Sequence, residues 1–382
     1  MLVVGAGPAG CAAAYDLAES GVSVRLLDRE DFPRPKPCAG ALSVKALKRL
    51  RYSAAPVIQW VARDIDISLS RAHDRRLRSR HPVVAMTVRQ ALDAFCLART
   101  LERGAMFQRI DDLAEVAEDD AGVSLRLASG QSLRAAFVIG ADGAGSRVAR
   151  LIGERLAGRA LAIEGHVRRS AAPGKHAMRF DFGLVRGGYG WIFPKHDHLN
   201  VGLYTQAADV PLRKGDLVAY ALQALGTDAV AQMVGYPLGV GGRAYRPRSR
   251  RVLLAGDAAG MAEPMMGEGL HNAIKTGQLA AAAILTELQD GHSARDLYRR
   301  SLREVQRDLH ACAGAAHWVY EVPKIGYRAL ASRPGRTALM RGFAAGKTFD
   351  EIWRSAAWAP FYAIAPVEAV EAFEAGAAGQ EE

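Results

Sequence analysis

MLVVGAGPAGCAAAYDLAESGVSVRLLD, residues 1–28, decides the fold. Its apolar start predicts a buried parallel strand, with almost no lead-in before Gly5. CAAAYDLAESG predicts a helix that stops at Gly21, and VSVRLLD predicts a second strand ending in Asp28. Strand, glycine turn, helix and a second strand closed by an acid form the unit that cradles a dinucleotide. Gly5 makes the tight turn. Gly7 lets the backbone approach a pyrophosphate, which rests on unpaired amides at the positive end of the helix. Gly10 lets helix pack on strand, and Asp28 accepts hydrogen bonds from a ribose.

Working outward, the bulk composition narrows the class. At 382 residues the chain is long enough for two or three domains. Its formal charge of +10 suits an anionic cofactor, an anionic membrane or nucleic acid. No run of lysine and arginine is interleaved with aromatics, which argues against nucleic acid. Cys11, Cys38, Cys96 and Cys312 lack C-x-x-C spacing, so no disulfide framework and no metal site is expected. That cysteine usage, with no signal peptide ahead of the first strand, suits a cytoplasmic protein. No stretch of about 20 uninterrupted apolar residues predicts a spanning helix.

After Asp28, REDFPRPKPCAGALS reads as a loop that carries Arg29, Arg34 and Lys36 close to the expected pyrophosphate. Cys38, Ala39 and Gly40 make a small, tight turn that a flat ring can approach. Residues 55–86 alternate like short antiparallel strands inserted into the nucleotide domain. TVRQALDAFCLARTLERGA reads as a helix with Arg89 at its start. FVIGADGAGSR ends an apolar strand at Asp142-Gly143, where the carboxyl ends of parallel strands meet ligands. Alternation returns over 158–245. There GGYGWIFPK sets Tyr189, Trp191 and Phe193 on one side of a strand, either as core or as a pocket wall. RVLLAGDAAGMAEPMMGEGL ends a buried strand at Gly256-Asp257. It then turns through Pro264, Gly267 and Gly269 into a long helix from Leu270, whose first amides are free to face a ligand. From 291 to 373 the pattern is helical and rich in arginine. Trp318, Tyr320, Tyr327, Phe343, Trp353, Trp358, Phe361 and Tyr362 are read there as core, tunnel lining or bilayer contacts. Residues 374–382 are expected to be disordered.

The pieces assemble into an α/β (α+β) fold. A Rossmann-like domain takes residues 1–54, 87–157 and 246–290. An inserted antiparallel β-sheet substrate domain takes 55–86 and 158–245, and a helical C-terminal part follows over 291–373. GAGPAG…D, IGADGAGSR and LLAGDAAG…P…GEGL, in that order, resemble the para-hydroxybenzoate hydroxylase-like FAD proteins. PKPCAG and YGWIFP narrow the resemblance to the geranylgeranyl reductase family. The resemblance covers roughly residues 1–280. It implies FAD as cofactor, held on the adenosine side by Gly5, Gly7, Pro8, Ala9, Gly10 and Asp28. Arg29, Arg34, Lys36 and Arg89 are implied along the pyrophosphate and ribityl chain. Ala39, Gly40, Asp142, Gly143, Gly256, Asp257 and Pro264 are implied as further contacts. Gly267, Gly269 and Leu270 fall at the flavin pyrimidine edge, where free amides and a helix dipole stabilise the charge of reduced flavin. Two departures stand out. Ala39 replaces the first of two glycines after the cysteine. Arg186 replaces a proline ahead of Tyr189, an added cation at the pocket edge that marks either a carboxylated or phosphorylated substrate or nothing.

The implied reaction is reduction of carbon–carbon double bonds in a polyprenyl (geranylgeranyl-type) or similar lipid. Hydride passes from reduced flavin to one alkene carbon and a proton reaches the other. An isolated alkene accepts hydride poorly, so the site must supply closeness, a dry apolar wall and a positioned acid. Tyr189, Trp191 and Phe193 are the candidate wall. Cys38 is the candidate beside the flavin, as proton donor or alkene positioner, with water as the other donor. NAD(P)H or ferredoxin is implied as electron donor. Peripheral contact of the C-terminal region with the inner membrane face is the further partner expectation. The alternative is a flavin-dependent monooxygenase or halogenase of the same fold. No motif marks the halogenase lysine, and Lys195, directly after the wall's proline, is a poor match. A third reading is a non-enzymatic binding protein at a membrane surface.

Overall fold

The computed structural model describes residues 1–154 and 158–354. Five parallel strands run in the order Val252–Leu254, Val138–Gly140, Leu2–Val4, Arg25–Asp28 and Met106–Arg109. Elements cover both faces of this sheet, which is why its central strands are apolar runs. Val3 and Leu26 are fully buried. Helix Pro8–Glu19 opens on a proline, whose missing N–H costs nothing in a first turn. It packs on helix Leu270–Asp290. A Cβ at Gly277 would stand 2.2 Å from the Ala9 carbonyl oxygen, so the two helices meet backbone to backbone. That closeness brings the start of the long helix to the turn after the first strand. A three-stranded antiparallel sheet, Leu113–Asp119, Gly122–Leu127 and Ser132–Ala135, flanks this domain.

Seven strands form a second sheet. Their order is Ala231–Gly239, Arg159–Arg168, His198–Thr205, Gly188–Pro194, Met178–Phe182, Asp64–Leu69 and His73–Arg78. All neighbours are antiparallel except Met178–Phe182 and Asp64–Leu69. Side chains alternate along each strand, so register assigns one face. Tyr189 pairs with Tyr204, Trp191 with Gly202 and Phe193 with Asn200. Phe180 pairs with Trp191, and Glu164 with Gly202. The face is therefore aromatic over Tyr189, Trp191 and Phe193, with Asn200, Glu164 and His166 among its polar interruptions.

Segment 55–86 does not join this sheet as one unit. Asp64–Leu69 and His73–Arg78 do. Ile58–Ala62 and Val84–Thr87 instead pair with Ala41–Ser43 in a separate three-stranded sheet. Every residue of Val84–Thr87 is buried, so this strand takes the covered centre of the small sheet.

Helices Ala294–Tyr320, Pro323–Ala331, Arg333–Ala345 and Phe349–Trp353 follow. Trp318, Tyr320, Tyr327, Phe343 and Trp353 pack into the same apolar cluster as Phe180 and Tyr189. Tyr327 and Trp353 are buried core, whereas Trp318, Tyr320 and Phe343 pack against it half-buried, and Phe343 lines the cavity described below. Trp358, Phe361, Tyr362 and the tail 374–382 lie outside the described residues, as do 155–157. Among the described residues, no helix is long and apolar enough to cross a membrane.

Candidate active site

A cavity of about 690 Å³ is lined by residues of both large sheets. Its nucleotide end is made of backbone. Gly5 has φ 101°, and a Cβ there would fall 2.3 Å from the Ala141 carbonyl oxygen. A side chain is both strained and blocked at that position. Gly7 faces space instead. The nearest atom to its missing Cβ is Arg34 Nη2 at 3.9 Å. Pro8 and Ala9 line the cavity at the helix N-terminus, and Asp28 lines it from the second strand. The Asp28 carboxylate accepts the Ala6 N–H at 2.7 Å and the Glu30 N–H at 3.1 Å, which fixes the turn from below. Gly10 is not on the cavity wall. Its Cβ position lies 1.8 Å from the Gly5 carbonyl oxygen, so it serves close packing of helix on turn.

Cations from the long loop reach the same space. Arg34 Nη2 stands 3.5 Å from Asp93 and 4.0 Å from Asp28. Arg34 Nε is buried with no hydrogen-bond partner among the described residues. Arg89 grips Asp93 with two bonds of 2.7 and 2.9 Å. Asp93 was not among the residues expected from sequence, yet its i,i+4 spacing from Arg89 on helix Arg89–Leu101 marks it. Lys36 donates to the Tyr236 hydroxyl and lies 3.6 Å from that ring's centre. Burial, and then the Arg89 charge, lowers the Lys36 pKa to about 8. Arg29 lines the exposed rim.

The other two nucleotide stretches converge here as well. Asp142 lines the cavity but turns its carboxylate inward. Oδ1 accepts the Ser146 hydroxyl at 2.6 Å, and Oδ2 accepts the amides of Arg147 and Val148 at 2.6 and 3.1 Å. The carboxylate caps the helix Arg147–Leu151, which leaves backbone here and at Gly143 to face a ligand. Asp257 is half-buried on the wall. Burial raises its pKa, against the pull of Lys36 and Arg89. Gly267, Gly269 and Leu270 line the cavity, whereas Gly256 and Pro264 stand behind it. The missing Cβ of Gly256 faces Ala9 at 3.0 Å, and the Pro264 carbonyl accepts the Tyr204 hydroxyl at 2.8 Å.

Glu263, which the sequence reading passed over, holds the intervening loop. Its carboxylate accepts the amides of Met265, Met266 and Glu268 at 2.8, 2.7 and 3.0 Å. The hydroxyls of Tyr189 and Tyr320 donate to the carbonyls of Met266 and Met265. Burial pushes the Glu263 carboxyl up to about 7 against those amides.

Across the cavity stands the aromatic face. Tyr189, Trp191 and Phe193 are each 4% exposed and line the space. Phe180 backs them, its ring centre 5.4 Å from Tyr189 and 5.3 Å from Phe193. The Trp191 ring occupies room that Gly202 leaves, since a Cβ there would lie 2.0 Å from it. Trp191 Nε1 donates to Asn200 Oδ1 at 2.7 Å. Cys38, Ala39 and Gly40 lie where face meets cradle. The Cys38 N–H donates to Glu164 Oε1 at 2.9 Å, and its Sγ accepts the Gly40 N–H at 3.4 Å. Glu164 and Asn200 were also passed over, although alternation in AIEGHVRR and HLNVGLYT puts each on a defined face. The expected added cation is absent from the wall. Arg186 is exposed and pairs with Asp209, because it precedes the strand on a solvent-facing turn.

These residues fit FAD. The backbone cradle leaves open space at Gly7. Arg34 stands beside it, and its buried Nε has no hydrogen-bond partner among the described residues. A helix N-terminus supplies free amides. Comparison with known proteins agrees. Residues 1–169 match the model of the FAD binding domain family. A protein of Methanosarcina barkeri of uncharacterised function is 31% identical over 356 residues, 92% of this chain and 91% of the relative. Geranylgeranyl diphosphate reductase of Rhodobacter capsulatus is 27% identical, covering 76% of each chain. Digeranylgeranylglycerophospholipid reductase 1 of Methanopyrus kandleri is 29% identical over 82% of this chain and 88% of its own. Among solved structures, a geranylgeranyl bacteriochlorophyll reductase-like protein of Thermoplasma acidophilum superposes with a TM-score of 0.75 at 20% identity, covering 98% of both chains. The halogenase PltM reaches a TM-score of 0.75 at 17% identity over 98% of this chain and 96% of its own, which is a likeness of fold.

Proposed function

The chain belongs to the geranylgeranyl reductase family of FAD-dependent oxidoreductases, and from that premise we propose that it reduces carbon–carbon double bonds of a polyprenyl lipid. The observation that carries this reading is the pairing of a dinucleotide cradle with an apolar aromatic wall in one cavity. FAD, bound and reduced, supplies hydride. The chain's own residues do the rest. Gly5, Gly7 and Pro8 shape the turn that presents the amide of Ala9 and the helix N-terminus to the pyrophosphate, and Asp28 faces the ribose. Arg34, Lys36 and Arg89 balance the phosphate charge. Gly267, Gly269 and Leu270 offer amides at the edge of the ring. Tyr189, Trp191 and Phe193 exclude water and press the alkene close. Cys38 holds a proton at Sγ, on the border of cradle and wall, for the second alkene carbon. The electrons come from NAD(P)H or ferredoxin.

The halogenase alternative shares the fold and has less support from the site. Lys195 does not line the cavity. Lys36, Lys45 and Lys347 do, but Lys36 is bound to Tyr236, Lys45 pairs with Glu268 at 3.0 Å, and Lys347 is exposed to solvent. The deciding experiment supplies the flavin-loaded protein with a chemical reductant and a geranylgeranyl lipid, and reads product mass. Gain of two hydrogens per double bond is expected. Substrate-coupled oxygen consumption with hydroxylation or halogenation, and no hydrogenated lipid, refutes the reading. Cys38→Ala with native flavin and full turnover refutes the proton-donor role.

A further inference from the structure

The turn that carries Cys38 is gripped from two sides by buried charged residues of the seven-stranded sheet. Lys195 follows strand Gly188–Pro194 and is 1% exposed. Its ammonium donates to the Ala39 carbonyl at 2.5 Å, stands 3.5 Å from the Gly40 carbonyl and touches Met86 Sδ at 3.7 Å. Glu164, 8% exposed, takes the Cys38 amide at 2.9 Å. One charge therefore holds the N–H at the start of a three-residue turn, and the opposite charge holds the carbonyls after it. Gly40 itself is closely fitted, with φ 64° and the Thr87 carbonyl oxygen 2.0 Å from its Cβ position.

A buried ammonium and a buried carboxylate are costly unless each is compensated. These two feel each other's field and otherwise bond to the turn and its neighbours. Loop backbone without such anchors is the kind of segment that moves. The carboxylate end also reaches the aromatic wall. Asn200 Oδ1 accepts Trp191 Nε1, which leaves the Asn200 amide group to donate to Glu164. Trp191, Asn200, Glu164 and the Cys38 amide thus form one continuous hydrogen-bonded line.

We propose that Glu164 and Lys195 are positioning residues that clamp the Cys38–Gly40 turn and, through Asn200, set its thiol in register with the Trp191 wall. Glu164 acts on Cys38 through its amide and Lys195 through the carbonyls after it, with the Lys195 ammonium also within the field of the Cys38 side chain; neither takes a proton or electrons in the reaction. The proposal rests on the reading of Cys38 and the aromatic face as the reacting end of the cavity.

The test uses flavin-loaded protein. Iodoacetamide labelling of Cys38 is followed by peptide mass spectrometry, beside kcat and KM for lipid reduction. Lys195→Met and Glu164→Ala are each expected to label Cys38 about tenfold faster, and to lower kcat by a similar factor, because each removes a buried charge-assisted hydrogen bond. KM stays within about twofold and flavin content is unchanged, as expected for a residue that acts on geometry and not on binding. Glu164→Gln keeps an acceptor for the amide and returns labelling to within about threefold of wild type. Asn200→Ala, which touches neither jaw's bond to the turn, is expected to raise labelling by about threefold through the loosened carboxylate, and it serves if the other variants do not fold. Wild-type labelling in Lys195→Met or Glu164→Ala overturns the clamp. So does Glu164→Gln behaving like Glu164→Ala, or, where those variants do not fold, wild-type labelling in Asn200→Ala. Labelling does not need the lipid. A wild-type protein that reduces no prenyl lipid, with labelling shifted as expected, rejects the proposed reaction and leaves the clamp standing.

Discussion

The two ends of the cavity are built from different material. At the nucleotide end the closest walls are backbone, Gly5, Gly7 and the first amides of two helices, ringed by the charged side chains of Asp28, Arg34, Lys36 and Arg89. At the other end the walls are side chains, Tyr189, Trp191, Phe193 and Phe180, stacked across strands by register. At Gly5 the backbone wall tolerates no added atom, because what a Cβ would meet is another main chain, and at Gly7 a Cβ would take up the open space of the cradle. Side-chain walls give by rotation, at the cost of whatever hydrogen bond holds the ring. The difference teaches that damage at one end should remove the cofactor, whereas damage at the other should spare it and remove the chemistry.

The sharpest attempt to break this contrast is Gly5→Ala. Its Cβ lies 2.3 Å from the Ala141 carbonyl at φ 101°, so strain of about 1–3 kcal/mol adds to an overlap that cannot rotate away. We expect protein without flavin absorbance, and a yellow Gly5→Ala protein would refute the assignment. Gly202→Ala comes next. The new methyl meets the Trp191 ring at 2.0 Å and displaces it from Asn200, an overpacking cost of about 1–3 kcal/mol. Flavin content should survive while turnover on a prenyl lipid falls at least tenfold, the equivalent of about 1.4 kcal/mol in the barrier. Loss of both together would erase the distinction between the ends.

Glu263 joins the two ends, since its loop carries Gly267 to the cradle and its Met266 carbonyl binds Tyr189. Glu263→Gln puts an amide group where buried N–H donors converge and should cost about 1–3 kcal/mol in denaturant unfolding. A pH dependence follows from the same group. Its folded pKa, about 7, lies above the unfolded value near 4.5, so the native state binds the extra proton between them. This contribution to stability is full below the unfolded pKa and is lost as pH rises through about 7. Unfolding midpoints measured from pH 4.5 to 7 should fall more steeply in wild type than in Glu263→Gln. The smallest effect belongs to Arg186→Ala. Its pair with Asp209 is exposed and off the cavity wall, so midpoint and KM should match wild type. A raised KM would restore the substrate-binding role that its position in the sequence suggested.

Much of this architecture was legible in the chain. Residues 1–28 mark the parallel sheet, and GWIFP marks one face of the other, because positive-φ glycines, helix caps and strand alternation are local properties. The split of segment 55–86 was not legible, since alternation shows a strand without naming its neighbour. Nor was the inward turn of Asp142, which spends on a helix cap the carboxylate that its strand-end position offered to a ligand. Only the tertiary structure decided which charge meets which backbone group. Glu164 reaches Cys38 across 126 positions, and Lys195 reaches Ala39 across 156. Such pairs have no period in the sequence. They exist because two sheets, each specified locally, bury their polar remnants against one another, and a buried charge must find its partner wherever the fold brings one.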